Sequence, residues 1–143
     1  MPQFRASSEA SNETPVIDYK ALPKLLDRFS GKNVLLITRR HPDHIKDVNG
    51  EIIWISKTNH PKAVHPSRLH AIEQITWESL NNGVDGVILD ALEYLMVEHG
   101  IEKTLKFVGK LRDMTMYKNR NFYVTISDGL DEKVLALLRR IVE

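Results

Sequence analysis

Four short apolar runs mark the chain: Val34-Leu35-Leu36-Ile37, Ile52-Ile53-Trp54-Ile55, Val87-Ile88-Leu89 and Phe122-Tyr123-Val124-Thr125-Ile126. None alternates polar with apolar, which suits strands buried on both faces, as inside a parallel sheet. Between them the apolar residues recur at helical spacing. Leu22, Leu25, Leu26 and Phe29 share one stripe, as do Leu69, Ile72, Ile75 or Thr76, and Leu80. Ile101, Leu105, Val108, Leu111 and Met114 make a third, and Val134, Leu138 and Ile141 a fourth. A short turn carrying Leu92, Leu95 and Met96 is broken at His99-Gly100. Pro23 and Pro66 fit first helical turns, where the missing N–H costs nothing, and Gly31 is a stop. Strands separated by helices of this length predict crossover connections. The expected fold is a single three-layer α/β domain over residues 16–143, with a four- to five-stranded, mainly parallel sheet flanked by helices. Residues 1–15 are polar and aperiodic and read as a flexible N-terminal arm. Trp54 and Trp77 are expected in the core.

Composition narrows the class. With 143 residues, 42% hydrophobic and 27% charged, the chain suits one globular domain. No segment approaches the length needed to span a bilayer, and the N-terminus does not read as a secretory signal. Zero cysteines exclude disulfides, zinc–thiolate sites and cysteine nucleophiles. A cytoplasmic protein is expected. The net charge of +1 implies no strong overall field, but residues 101–121 hold six bases against two acids. Lys103, Lys106, Lys110, Lys118 and Arg120 read first as a solvated helix face and turn, and otherwise as a candidate basic surface for an acidic partner or a phosphate backbone. Tyr117-Lys118-Asn119-Arg120 has a composition that can stack and contact phosphate in RNA, but it reads first as a plain helix-to-strand turn.

Candidate chemistry centres on Asp90, which follows Val87-Ile88-Leu89 at the carboxyl end of a buried strand, where open α/β sheets place their sites. Asp90 and Glu93 read either as a pair for a cation or for acid–base work, or as a helix cap with an acid at the helix's positive end. Arg39, Arg40, His41 and His44 follow the first buried run and would complete a polar cleft if the two strands are neighbours. Such a cleft could hold an anion, or Arg39 could pair with Asp90 or Glu93 structurally. His41 and His44 supply too few ligands for a metal site, so none is expected. Ser127 and Asp128 have no Gly-x-Ser-x-Gly elbow around them and read as a turn and cap. The last helix carries more apolar residues than one stripe needs. Leu135, Leu137 and Val142 are therefore candidates for a dimer contact.

Several ordered motifs resemble the archaeal domain of unknown function 835. They are Ile37-Thr38-Arg39 with His41-Pro42, Ile53-Trp54-Ile55-Ser56, and Asp90-Ala91-Leu92-Glu93-Tyr94-Leu95. The last continues as His99-Gly100-Ile101-Glu102, Leu105-Lys106-Phe107 and Leu111-Arg112-Asp113. Ala91 stands where that family usually has glycine. The resemblance implies no known reaction, and it also suggests a worn-down relative of RecA- and KaiC-type ATPase domains. In those, a strand ending in aspartate works with a glycine-rich phosphate loop. Here Thr38-Arg39-Arg40-His41-Pro42-Asp43-His44 holds no glycine, so backbone N–H groups cannot wrap a phosphate closely.

The expectation is therefore a non-catalytic interaction module without a cofactor. It would act as a homodimer that binds a macromolecular partner, with a ribonucleoprotein such as a ribosomal subunit as one candidate. The alternative is a nucleotide- or anion-sensing signalling domain using Arg39, Arg40, His41, Asp90 and Glu93.

Overall fold

The computed structural model describes residues 14–45 and 48–143; nearly all of the proposed N-terminal arm lies outside them. Six strands form one sheet: β1 (Val16–Asp18), β2 (Val34–Thr38), β3 (Gly50–Ile55), β4 (Ala63–Val64), β5 (Gly86–Asp90) and β6 (Asn121–Ile126). Their order is β1-β6-β5-β2-β3-β4, and every neighbouring pair is parallel. The count exceeds the expected four or five because two edge strands are too short to leave a pattern. β1 has three residues and β4 only two.

Five α-helices cover the sheet: α1 (Leu22–Arg28), α2 (Leu69–Asn81), α3 (Leu92–His99), α4 (Ile101–Tyr117) and α5 (Glu132–Val142). Pro23 sits in the first turn of α1. Short 3-10 turns span Tyr19–Ala21 and Pro42–His44. Gly100, at φ 85°, lets α3 end and α4 begin in a new direction without a break in the chain.

Strand pleating divides the core in two. Leu35, Ile37, Val87, Leu89, Phe122 and Val124 face α2–α5. Leu36, Ile88 and Tyr123 face the thinner layer made by α1, where Leu22, Leu25 and Phe29 close over them. Gly86 is required here because a Cβ would meet the Phe29 ring at 2.6 Å.

Two expectations about side chains fail. Trp54 is only half-buried and Trp77 is 36% exposed. Trp77 stands on the flank of α2, about 100° round the helix from the centre of the stripe of Ile72, Thr76 and Leu80 and on the side of His70 and Glu73, so its ring lies at the edge of the buried face. Among the dimer candidates, Val142 is buried in the core and Leu135 packs against it, while Leu137 stays 52% exposed. The buried stripe of α5 runs Val134, Leu138, Val142, at steps of four, which carries Val142 inward.

Candidate functional site

β2, β5 and β6 are adjacent, so their polar terminal residues fall in one row. Thr38 is paired with Asp90, and Thr125 lies one step beyond the Leu89–Val124 pair. By pleat parity all three point to the α1 face. Thr38 Oγ1 donates to Asp90 Oδ2 at 2.6 Å, and Thr125 Oγ1 donates to Asp90 Oδ1 at 2.6 Å. Arg40 Nε donates to Oδ2 at 3.2 Å, while its other arm donates to the Tyr19 carbonyl at 2.9 Å. Arg40 N–H also donates to Thr38 Oγ1 at 2.9 Å. The carboxylate is buried and holds both strands and the following loop.

This overturns the helix-cap reading of Asp90. Ala91 is the N-cap of α3 and makes no side-chain cap hydrogen bond, and the Asp90 oxygens turn back across the sheet. Glu93, in the first turn, accepts Ser127 N–H at 2.7 Å and ties α3 to the end of β6. Asp90 and Glu93 therefore do not form a pair facing one ligand.

Nor does Arg39 pair with either acid. Its guanidinium donates to the Ile55 carbonyl at 2.9 Å and lies 3.9 Å from the Tyr94 ring centre. The Arg39 carbonyl accepts Trp54 Nε1–H at 3.2 Å, so the loop after β2 is knitted to β3. The arginine side chains of the loop after β2 are thus already bonded within the protein.

Beside it the rings of His41, His44, Trp54 and His60 converge. His41 lies 4.7 Å from Trp54 and 6.0 Å from His60 between ring centres. His41 Nδ1 accepts Asp43 N–H at 3.1 Å, and His60 Nδ1 accepts Lys62 N–H at 3.0 Å. His65 repeats the device with Ser67 N–H at 3.1 Å. Each histidine precedes a proline, whose missing N–H leaves the next residue's amide as the one to cap (His41-Pro42-Asp43, His60-Pro61-Lys62, His65-Pro66-Ser67). The shared His-Pro-x pattern is legible in the sequence and marks turns. Among the described residues no group of three or more His, Asp or Glu is placed to hold a metal ion.

Ser127 and Asp128 have other partners than a histidine. Asp128 pairs with Lys20 at 3.2 Å, and that ammonium holds its carboxyl below the usual value, by hydrogen bond first and charge second. Asp131, not Ser127 or Asp128, caps α5.

The basic residues lie on a different surface. Lys103, Lys106 and Lys110 line one side of a groove of about 240 Å³, and Ser67, His70 and Glu73 line the other. Lys110 is 3.8 Å from Glu73, and Lys106 is 3.1 Å from Glu102. At the far end of α4, Tyr117 meets Trp77 with ring centres 6.1 Å apart. Lys118 Nζ lies 5.1 Å from the Trp77 ring centre, and Arg120 is 3.7 Å from Asp85. The structure thus keeps Lys103, Lys106 and Lys110 together, puts Lys118 and Arg120 at the opposite end, and adds Trp77, which the sequence reading had assigned to the core.

The profile of a protein family described as protein of unknown function (DUF835) matches residues 16–142. The chain belongs to the DUF835 family. The match covers all six strands and five helices, including the Asp90 row and both ends of the α2–α4 face. A comparison with curated proteins finds no match.

Proposed function

We propose that this DUF835 domain is a non-catalytic interaction module that acts as a homodimer and holds a macromolecular partner, a ribonucleoprotein such as a ribosomal subunit, on its α2–α4 face. One contrast supports the reading. In the cleft at the strand ends Arg39, Arg40, Asp90 and Glu93 all have protein partners. On the α2–α4 face Lys103, Lys106 and Lys110 are exposed, and the ion pairs of Lys106 with Glu102 and of Lys110 with Glu73 are surface pairs worth about 0–1 kcal/mol that a phosphate can displace. Exposed ammonium groups on one helix face release counterions when they meet a phosphate backbone, which drives binding.

The second copy would sit on the groove between α4 and α5, about 570 Å³, lined by Ile101, Leu105, Gly109, Leu137 and Ile141. Its rim holds Glu102 and Lys106, one charge of each sign, which complements a twofold copy of itself. The dimer contact proposed here is therefore centred on Leu137.

Co-sedimentation with purified ribosomal subunits from its own host tests the partner. Changing Lys103 and Lys110, which lie off the dimer groove, to Gln should weaken binding by about tenfold or more while circular dichroism stays native, because Gln keeps helix propensity and adds no like charge beside Glu73. Unaltered binding by the folded variant overturns the basic-face reading. Sedimentation of Leu137→Asp should give half the wild-type mass, and an unchanged mass removes the groove from the dimer. The rival, a nucleotide-sensing cleft, requires thermal stabilisation by a nucleotide with magnesium, about 2.7 kcal/mol at 100 times the Kd.

A further inference from the structure

We infer that Trp77 and Tyr117 form a stacking platform for unpaired bases of a single-stranded RNA, with the lysines of α4 following its backbone; this rests on the reading of the α2–α4 face given above. The groove residues Ser67 and His70 lie before and at the start of α2 and face Lys103 and Lys106 near the start of α4. Trp77 and Tyr117 meet near the opposite ends of the same two helices. The helices therefore run side by side in the same sense, and one face continues from the lysines to the aromatic pair. Lys103, Lys110 and Tyr117 are seven residues apart, two turns each, so they share a side of α4. Seventeen residues give that face a length of about 26 Å.

Tyr117 is 75% exposed and Trp77 36% exposed, which is unusual for two large rings that touch. Their planes are tilted by 33°. Lys118 Nζ lies within 5.1 Å of one ring centre and 5.9 Å of the other, so a cation already stands at the pair where a phosphate would follow a stacked base. Of the acids around this face, Asp85 pairs with Arg120, Asp113 with Arg112, and Glu73 with Lys110 and His70, while Glu78 accepts the Gln74 amide. Aromatic rings beside cations accept any base on its π-face, and only an unpaired strand offers that face. An acidic protein segment would use the lysines but leave the rings without a role.

The test uses the full chain carrying Trp54→Phe, which leaves Trp77 as the single tryptophan, titrated with an unstructured oligouridylate of about 12 nucleotides and with a duplex of matched length. Trp77 emission should be quenched by the single strand and not by the duplex. Tyr117→Ala should weaken single-strand binding by about ten- to a hundredfold at fixed salt. Lys110→Glu should instead lower the slope of log K against log salt. If the oligonucleotide binds with a normal salt slope but neither quenches Trp77 nor responds to Tyr117→Ala, the platform is refuted and the basic face survives. If wild-type protein binds neither oligonucleotide, the platform is refuted, and co-sedimentation with ribosomal subunits decides the basic face separately.

Discussion

Replacing Asp90 by Ala asks whether the carboxylate is a structural clamp or a group held ready for a ligand. In the clamp reading the substitution strands the hydroxyls of Thr38 and Thr125, both of them buried. An orphaned buried donor costs about 1–3 kcal/mol. Arg40 adds little, because its side chain is 37% exposed and water can replace its partner. The expected loss is about 3–5 kcal/mol, with Tm lowered by about 10–17 °C for a chain of this size. Guanidinium denaturation followed by circular dichroism measures it, with an unchanged m-value as the check that the transition stays comparable. The decisive arm is the triple variant Asp90→Ala, Thr38→Val, Thr125→Val. Removing all three polar groups leaves only the half-exposed Arg40 N–H without its partner, which water can replace, so the triple variant should be more stable than Asp90→Ala alone, within about 2 kcal/mol of wild type. An Asp90→Ala protein as stable as wild type, or one whose loss simply adds to those of the threonines, refutes the clamp.

Two further outcomes follow from the same structure. Gly50, at φ +117°, would drive a methyl group into the Val34 backbone, so Gly50→Ala should cost about 3 kcal/mol or more, whereas Gly83→Ala, which meets open space, should cost about 1 kcal/mol; thermal melts of both separate crowding from backbone preference. Burial raises the phenol of Tyr123 above its ordinary value, with Arg28 opposing. The unfolded chain therefore releases that proton first, so the contribution is fully present below about pH 10 and is lost as pH rises through the folded value. An ultraviolet titration should show the late ionisation, and Tyr123→Phe should abolish it.

The regular elements were largely legible because their apolar runs carry no alternation and their helices keep a period. β1 and β4 were not, since two or three residues acquire strand identity only from a neighbour. The polar residues ending the strands were visible, yet their union depends on strand order, which periodicity does not encode. That is why Asp90 read as a cap and Arg39 as its partner, when the adjacent β2 and β6 supply Thr38 and Thr125, and Arg40 supplies the cation. A threonine or aspartate at or next to the carboxyl end of three buried runs (Thr38, Asp90, Thr125) would have been the available signal. Trp77 was misplaced because size alone suggested burial, although its position, about 100° from the centre of the stripe of Ile72, Thr76 and Leu80, put it at the edge of the buried face.

The clamp also bears on the order in which the chain takes its shape. Thr38 and Thr125 lie 52 and 35 residues from Asp90, so neither can reach it by local folding. Until β6, the last strand synthesised, docks beside β5, the carboxylate keeps its water, and a half-built sheet resists closing over it. Asp90 should therefore belong to the late-forming contacts, and its loss should hasten unfolding far more than it slows folding.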